Sequence, residues 1–393
     1  MVFVFDGLQA ELVTPELMPN LSLFAATGAR FQSHQPVFPT VTRVNAASIV
    51  TGCFPGTHGL AGNMSLVPEW SLTEPMNAMK PEFQELLASG GRVLLVPTLA
   101  ELLAAHELEY IAVGIGTTGQ SFVHHPNGED AEFGASIHPQ YALPGPLFRH
   151  LVARFGAWPD HALPDVARIE QMIDITTQYV LAERDPAVTL IWSSEPDNSQ
   201  HGSPLNSPTV HQAVHAADAG FGRLLAWLEE NDRASDTNVI VTCDHGHTTV
   251  SAVIPVAELL AEVGFPRPGE PGGIVVANNG GAALFYIQGH DAEIADRLAE
   301  WLVAQPWAGP LLAADRFDRI RGTLPTSLVG LDGPRGPDLA LSFAWNERVN
   351  EHGAVGHSFV AGGPIGQGQH GSMSPQELRT FTVARGPDFK ANV

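Results

Sequence analysis

Asp197 and His201 stand four residues apart in Ser194-Glu195-Pro196-Asp197-Asn198-Ser199-Gln200-His201-Gly202. Asp244-His245-Gly246-His247 follows the apolar run Val239-Ile240-Val241, and Asp6-Gly7 closes the run Val2-Phe3-Val4-Phe5. Carboxylates and neutral imidazoles are the donor set of zinc and similar divalent ions. On a helical turn, side chains four apart share a face, so Asp197 and His201 can meet one ion. Asp244 and His245 are adjacent and normally diverge, but a sharp turn lets both reach a common centre. His370 lies in the glycine-rich stretch Gly362–Gly371, where the backbone can bend to bring an imidazole inward. The chemistry predicted is metal-assisted hydrolysis. His34, His106, His124, His125, His138, His150 and His161 lack such a setting and read as ordinary surface or core histidines.

A second stretch, Phe38-Pro39-Thr40-Val41-Thr42-Arg43-Val44-Asn45, begins extended and runs into Ala46–Val50, the body of a short helix ending at Gly52. Thr42 then stands near that helix's N-terminus, where free backbone N–H groups favour an anion. A hydroxyl bound there to a divalent ion can ionise and attack phosphorus. The plain alternative for Thr42 is an N-cap.

These groups need strands that end together. Runs of β-branched and large apolar residues predict strands at Val2–Phe5, Val93–Val96, Tyr110–Val113, Val188–Trp192 and Val239–Thr242. Continuous apolar runs suit strands buried on both faces of a parallel sheet. Helical spacing appears over Leu17–Thr27 (stopping at Gly28), Ala167–Glu183 and Pro208–Glu230. The alternation predicts an α/β fold with a doubly wound, mostly parallel sheet and helices on both faces. Acidic and imidazole groups just past strand ends are where such sheets carry chemistry. From about Ser251 to Gly366 the texture shifts to short runs (Ala282–Ile287, Leu339–Phe343), Gly/Pro-rich connections and a helix over Asp291–Gln305 with Asp291 as N-cap. Residues 251–366 therefore read as a small inserted α+β cap, and 1–250 with 367–393 as the catalytic domain. In the latter, Ser374-Pro375-Gln376-Glu377 opens a short helix and Phe381–Val383 forms a last strand.

The chain has 393 residues, 20 Lys+Arg against 42 Asp+Glu, and a net charge of −22. Such a surface repels nucleic-acid polymers and anionic membranes, while metal ions can reverse the sign locally for a small anionic substrate. Hydrophobic residues make up 44%, ample for a core. Cys53 and Cys243 are too few for a disulfide framework, and Cys243 reads as a buried thiol. No stretch is long and apolar enough to span a bilayer. The first strand begins at Val2, which predicts no signal peptide and a soluble, cytoplasmic protein as the sequence stands, or a secreted or periplasmic one if a leader has been lost. Oligomeric state is left open.

Taken together, the motifs resemble the alkaline phosphatase superfamily, nearest the type I phosphodiesterase/nucleotide pyrophosphatase group, with phosphonoacetate hydrolases close by. The residues that carry the resemblance span nearly the whole chain: Asp6-Gly7, Met18-Pro19-Asn20-Leu21, Phe38-Pro39-Thr40-Val41-Thr42, Thr51-Gly52, His58-Gly59, Glu195-Pro196-Asp197, His201-Gly202, Asp244-His245-Gly246, His370-Gly371 and Arg385-Gly386-Pro387. The resemblance implies an alkaline phosphatase-like fold and two zinc ions, with manganese or iron also suited to such O/N sites. Asp197, His201 and His370 would hold one ion; Asp6, Thr42, Asp244 and His245 the other. Thr42 would be the nucleophile, forming a phosphothreonine that water hydrolyses, and the Asn63 amide would bind a phosphoryl oxygen. Arg43 departs from the pattern. Nucleotide-cleaving members carry an aromatic after the nucleophile, so the departure speaks against a nucleotide substrate or moves base binding elsewhere; Arg43 is expected either to meet a second phosphate or a carboxylate or to be a solvated or structurally paired arginine. The lysine clamp of the phosphonoacetate and monoester hydrolases is also missing, since Arg92 is the only Lys or Arg between Glu82 and Phe148. The function this implies is hydrolysis of phosphodiester or pyrophosphate bonds. The alternatives are a phosphonoacetate or phosphomonoester hydrolase, and a catalytically silent binding protein on the same fold.

Overall fold

The structure, a computed structural model, describes residues 1–129 and 131–390, so the last three residues of the predicted catalytic segment lie outside it. The chain divides into two compact units. The first comprises Met1–Gln35, Pro97–Gly246 and Arg379–Val393, the second Pro36–Val96 and His247–Leu378.

The first unit is built on an eight-stranded sheet. Its order is Ala29–Phe31, Thr382–Arg385, Val239–Thr242, Val2–Phe5, Val188–Ser193, Tyr110–Gly114, Ala135–His138, Tyr141–Leu143. The strands from Val239–Thr242 through Ala135–His138 are parallel, and antiparallel strands close both edges. Phe3, Val4 and Phe5 are all buried although alternate side chains point to opposite faces, so both faces of this central strand are covered. On one face, Phe221 of the Pro208–Glu230 helix packs edge-on against Phe3, Phe5 and Phe24, with ring centroids 5.3, 5.9 and 5.4 Å away. The register aligns Phe5 with Ser193 and Val4 with Thr242. Asp6, Ser194 and Asp244, set level by this register continued past Phe5, therefore leave the sheet together at the C-terminal ends of their strands. Cys53 and Cys243 are both free thiols, Cys243 being buried.

In the second unit, a five-stranded sheet runs Ile274–Asn279, Ala282–Ile287, Leu339–Phe343, Ala308–Ala313, Leu324–Pro325. The Val256–Glu262 and Ala292–Val303 helices bury Val256, Leu260, Leu298 and Leu302 in its core. Asp291 caps the second of these helices by accepting the N–H groups of Glu293 and Ile294. A four-stranded sheet (Trp345–Val349, Val355–Val360, Thr248–Val253, Gly368–Gln369) lies in the same unit. The Thr42–Thr51 helix ends at Gly52, whose φ of 66° is the left-handed cap conformation.

Two expectations change. Val93–Val96 forms no strand. Its backbone is engaged otherwise: Arg335 donates to the carbonyls of Arg92 and Val93, and the Leu95 N–H donates to His58 O. The Ala167–Glu183 helix is α only over Val166–Ile175 and continues as π-helix over Thr176–Arg184. There, the Thr176 and Thr177 hydroxyls donate back to the Met172 and Ile173 carbonyls, competing with the regular ladder.

Phe221→Ala should lower unfolding free energy by about 3–5 kcal/mol, because it empties the space between the central strand and its covering helix. Urea denaturation followed by circular dichroism measures this, and a loss under about 1 kcal/mol would contradict the packing described.

Candidate metal centre

In the first unit the strand ends deliver their acidic groups to one place. The Asp6 N–H donates to Ser193 O at 3.0 Å and the Asp197 N–H to Asp6 O at 3.1 Å. Gln200 Nε2 reaches Gly7 O at 2.8 Å, and the Gly7 N–H donates to Asp244 Oδ1 at 3.0 Å. Each loop is thus tied to its neighbour through backbone groups, leaving carboxylate oxygens to face inward. Trp192 Nε1 donates to Asp6 Oδ2 at 2.8 Å, so Oδ1 is the oxygen left over.

The geometry of three ligand atoms then becomes informative. His245 Nε2 lies 3.5 Å from Asp6 Oδ1 and 3.3 Å from Asp244 Oδ2, and neither oxygen receives an N–H or hydroxyl donor. The other ring nitrogen of His245, Nδ1, faces the Gly246 carbonyl at 3.2 Å. A proton on Nδ1 leaves a lone pair on Nε2. Two carboxylate oxygens and a ring nitrogen thus lie close together, all three residues buried. Two carboxylates and a neutral imidazole so close together are a zinc-type donor set, and when ionised they repel one another unless a cation sits among them, so these residues fit a divalent ion. Asp197, first residue of the Asp197–Gly202 helix, has Oδ1 3.3 Å from His201 Nε2, as four-residue helical spacing allows.

Burial holds the Asp6 carboxyl well above the usual carboxylate range, with the charges of Asp244 and Asp197 adding to it. Burial, then Asp197, pushes Asp244 up to about 8. Glu195 is pushed up to about 7, again chiefly by burial, while it accepts the N–H groups of Asp165 and Ser199 at 2.9 and 3.0 Å. It thereby fixes the turn that presents Asp197.

The second unit holds the remaining predicted residues. Thr42 is buried and is the first residue of the Thr42–Thr51 helix. Val41 is the N-cap, so the N-cap alternative for Thr42 does not hold. His58 braces this helix. It accepts the Leu60 N–H at Nδ1 (3.2 Å) and meets Ser48 Oγ at Nε2 (3.0 Å), and burial brings its pKa down to about 3, so it stays neutral. Asn63 Oδ1 accepts the Arg43 N–H at 3.1 Å, which orients the amide nitrogen as the remaining donor. Gly62 is required beside it: a Cβ there would lie 2.4 Å from Met64 O and 2.7 Å from Asn279 Oδ1. The Arg43 guanidinium donates to Asn77 Oδ1 at 3.1 Å and reaches Asn63 O at 3.4 Å, so part of its donor set serves the loop that carries Asn63. His370 Nδ1 donates to Thr40 O at 2.7 Å, which leaves Nε2 as the ligand nitrogen. Sequence reasoning passed over two residues. Glu377 is a buried carboxylate hydrogen-bonded to Thr40 and Ser372, and His247 is a buried imidazole beside His370. Only the position of His247 in the Asp244-His245-Gly246-His247 block hinted at either.

The model of the type I phosphodiesterase/nucleotide pyrophosphatase family matches residues 1–353. Ectonucleotide pyrophosphatase/phosphodiesterase family member 3 of Rattus norvegicus is 24% identical over 268 residues, which is 67% of this chain and 27% of that protein. The venom phosphodiesterase of Macrovipera lebetinus is 24% identical over 252 residues, 64% of this chain and 26% of that protein. The match thus spans about a quarter of the length of these curated relatives. Among solved structures, phosphonoacetate hydrolase from Sinorhizobium meliloti 1021 in complex with phosphonoformate has a TM-score of 0.71 at 17% identity, covering 99% of this chain and 90% of that one. Inactive murine ectonucleotide pyrophosphatase/phosphodiesterase 5 in complex with AMP has a TM-score of 0.62 at 16% identity, covering 100% and 88%. These likenesses establish the alkaline phosphatase-like fold. Among the described residues, no helix is long and apolar enough to cross a membrane.

The raised carboxyl pKa values predict how stability depends on pH. The unfolded Asp value is about 3.9, whereas Asp244 is raised to about 8 in the folded chain. Metal-free native protein therefore holds protons that the unfolded chain has lost. The contribution of this carboxyl to stability is fullest below about pH 4 and is lost as pH rises toward 8. With a chelator present, Tm should fall from pH 5 to pH 8, and added zinc should raise Tm most at pH 8. A metal-free profile that is flat, or that rises with pH, would count against this charge cluster.

Proposed function

This chain belongs to the type I phosphodiesterase/nucleotide pyrophosphatase family, a family of metal-dependent hydrolases, and from that premise we propose that it cleaves phosphodiester or pyrophosphate bonds through a covalent phosphothreonine at Thr42. The observation that carries the reading is the buried convergence of Asp6, Asp244 and His245, whose ligand atoms lie within 4.8 Å of one another where the family's motif expects a cation. The proposed ligands are Asp197, His201 and His370 for one ion, and Asp6, Thr42, Asp244 and His245 for the other. Two zinc ions, when bound, supply Lewis-acid polarisation and a lowered hydroxyl pKa.

The chain's own residues do the rest. Thr42 Oγ1 loses its proton to solvent and attacks phosphorus. The P–O bond to the leaving group breaks, and the leaving oxygen departs with the bonding electrons and takes up a proton. Water then attacks the phosphothreonine and gives up a proton, the Thr42 Oγ1–P bond breaks, Thr42 Oγ1 takes up a proton, and a phosphomonoester leaves. The position of Thr42 at a helix N-terminus favours the anionic forms along this path. Asn63, its amide oriented by the Arg43 N–H, donates to a non-bridging phosphoryl oxygen as charge builds there. Arg43, beside Thr42, is the residue assigned to a second acidic group of the substrate.

The shortage of cations favours diesters, whose transferred group carries less charge than a monoester's. The second reading is a phosphonate or phosphomonoester hydrolase, favoured by the TM-score of 0.71 to phosphonoacetate hydrolase. A bis-aryl phosphodiester, an aryl phosphomonoester and phosphonoacetate tested on one preparation separate the two. A monoester or phosphonate preference of orders of magnitude would end the diester reading. No activity on any of them, with and without added zinc, would favour a silent binding protein.

Thr42→Ala should lower kcat at least roughly 10³-fold while bound metal stays near the wild-type amount by elemental analysis. Asn63→Ala should lower kcat by about 10²–10³-fold with little change in KM. Steady-state kinetics on the best diester reads both, and a Thr42→Ala variant that keeps most of its activity removes Thr42 as nucleophile.

A further inference from the structure

His247 has no part in the ligand sets above, yet its setting is that of a ligand. It is fully buried. Its ring centroid lies 5.1 Å from that of His370, the two planes at 71°. Each imidazole offers a nitrogen within 4.8 Å of the other's. Two nitrogens bound to one zinc at about 2.0–2.1 Å each fall within such a span.

A second feature holds the pair in place. Glu377 is fully buried. Its Oε1 accepts from Thr248 Oγ1 at 2.9 Å, Ser372 Oγ at 2.6 Å and Ser374 Oγ at 3.1 Å. Its Oε2 accepts from Thr40 Oγ1 at 2.9 Å and the Ser372 N–H at 2.6 Å. Thr248 follows His247 directly, and Ser372 stands just past His370. Thr40 also receives His370 Nδ1 on its carbonyl and the Gly371 N–H on its hydroxyl, at 2.7 and 2.9 Å. One carboxylate thus fixes the backbone beside both imidazoles. A frame of this kind preorganises ligands by locking their supports.

We propose that His247 is a further metal ligand, binding through an imidazole nitrogen the same ion as His370. The inference rests on the two-metal reading above. An added imidazole makes that ion's donor set richer in nitrogen, which favours zinc over manganese or magnesium. The role differs from that of a packed core histidine, because its loss would change the affinity for metal and not merely the stability of the chain.

The test uses the full chain as wild type, His247→Gln and His247→Leu. Zinc affinity is measured by competition with a chromogenic chelator, cobalt-loaded protein by visible absorption, and folding by circular dichroism of the metal-free form. In a folded variant, one zinc should bind about 10-fold or more weakly, the other should be unchanged, and the cobalt d–d bands should shift. Affinities within twofold of wild type together with an unshifted spectrum, in either folded variant, overturn the proposal. Cobalt-loaded wild type gives a readout that needs no variant. Its hyperfine-shifted imidazole N–H resonances should include a set from His247 besides those of His201, His245 and His370, and the absence of that further set also overturns it. Wild-type protein that binds no divalent ion would sink the underlying two-metal reading. Wild type that binds metal equally well with and without His247 sinks only this inference.

Discussion

Three buried groups in the first unit crowd together, His245 Nε2 lying 3.5 Å from Asp6 Oδ1 and 3.3 Å from Asp244 Oδ2. That unfavourable arrangement is the constraint on which the rest of the site depends. Without a cation, burial and mutual repulsion hold the carboxyls in their protonated forms. With a cation, the same burial strengthens every attraction to it, because little water remains to screen the charge. The fold tolerates the cost because it grips each group elsewhere. Trp192 takes the second oxygen of Asp6, the Gly7 N–H takes that of Asp244, and the Gly246 carbonyl meets the second nitrogen of His245.

The parallel sheet makes the arrangement reproducible. The Val239–Thr242, Val2–Phe5 and Val188–Ser193 strands are neighbours and run the same way, so their following residues emerge at a common edge. Phe221 and its ring partners lock the central strand from one face. Rigid strands beneath short loops place side chains more finely than long loops would.

The second unit solves a different problem, that of presenting a hydroxyl and imidazoles from loops. It uses buried polar hubs. Glu377 gathers hydroxyls and an N–H from separate segments, and neutral His58 ties the Thr42–Thr51 helix to the loop that follows it. Networks of this kind are costly when incomplete and rigid when satisfied. Here the known acceptors and donors match, and both hubs lie close in sequence to proposed functional residues.

The α/β class and the strands that Asp6, Asp197 and Asp244 follow were legible in the sequence alone. These follow from local signals: continuous apolar runs, a threonine ahead of a short helix, glycines after it, and acidic groups just past β-like segments. It misjudged Val93–Val96, because apolar composition cannot show that Arg335, far along the chain, takes up that backbone. For Arg43 it left a substrate contact and a structural pairing both open, and in the fold the guanidinium donates to Asn63 and Asn77. It placed Glu377 only in the capping pattern of a short helix and gave His247 no role, since a hydrogen bond to Thr40 or a ring against His370, both from distant segments, leaves no mark on local spacing. Residue type and periodicity are written into the chain itself. Which buried carboxylate meets which hydroxyl is settled only when distant segments close on one another and every buried polar group must find a partner.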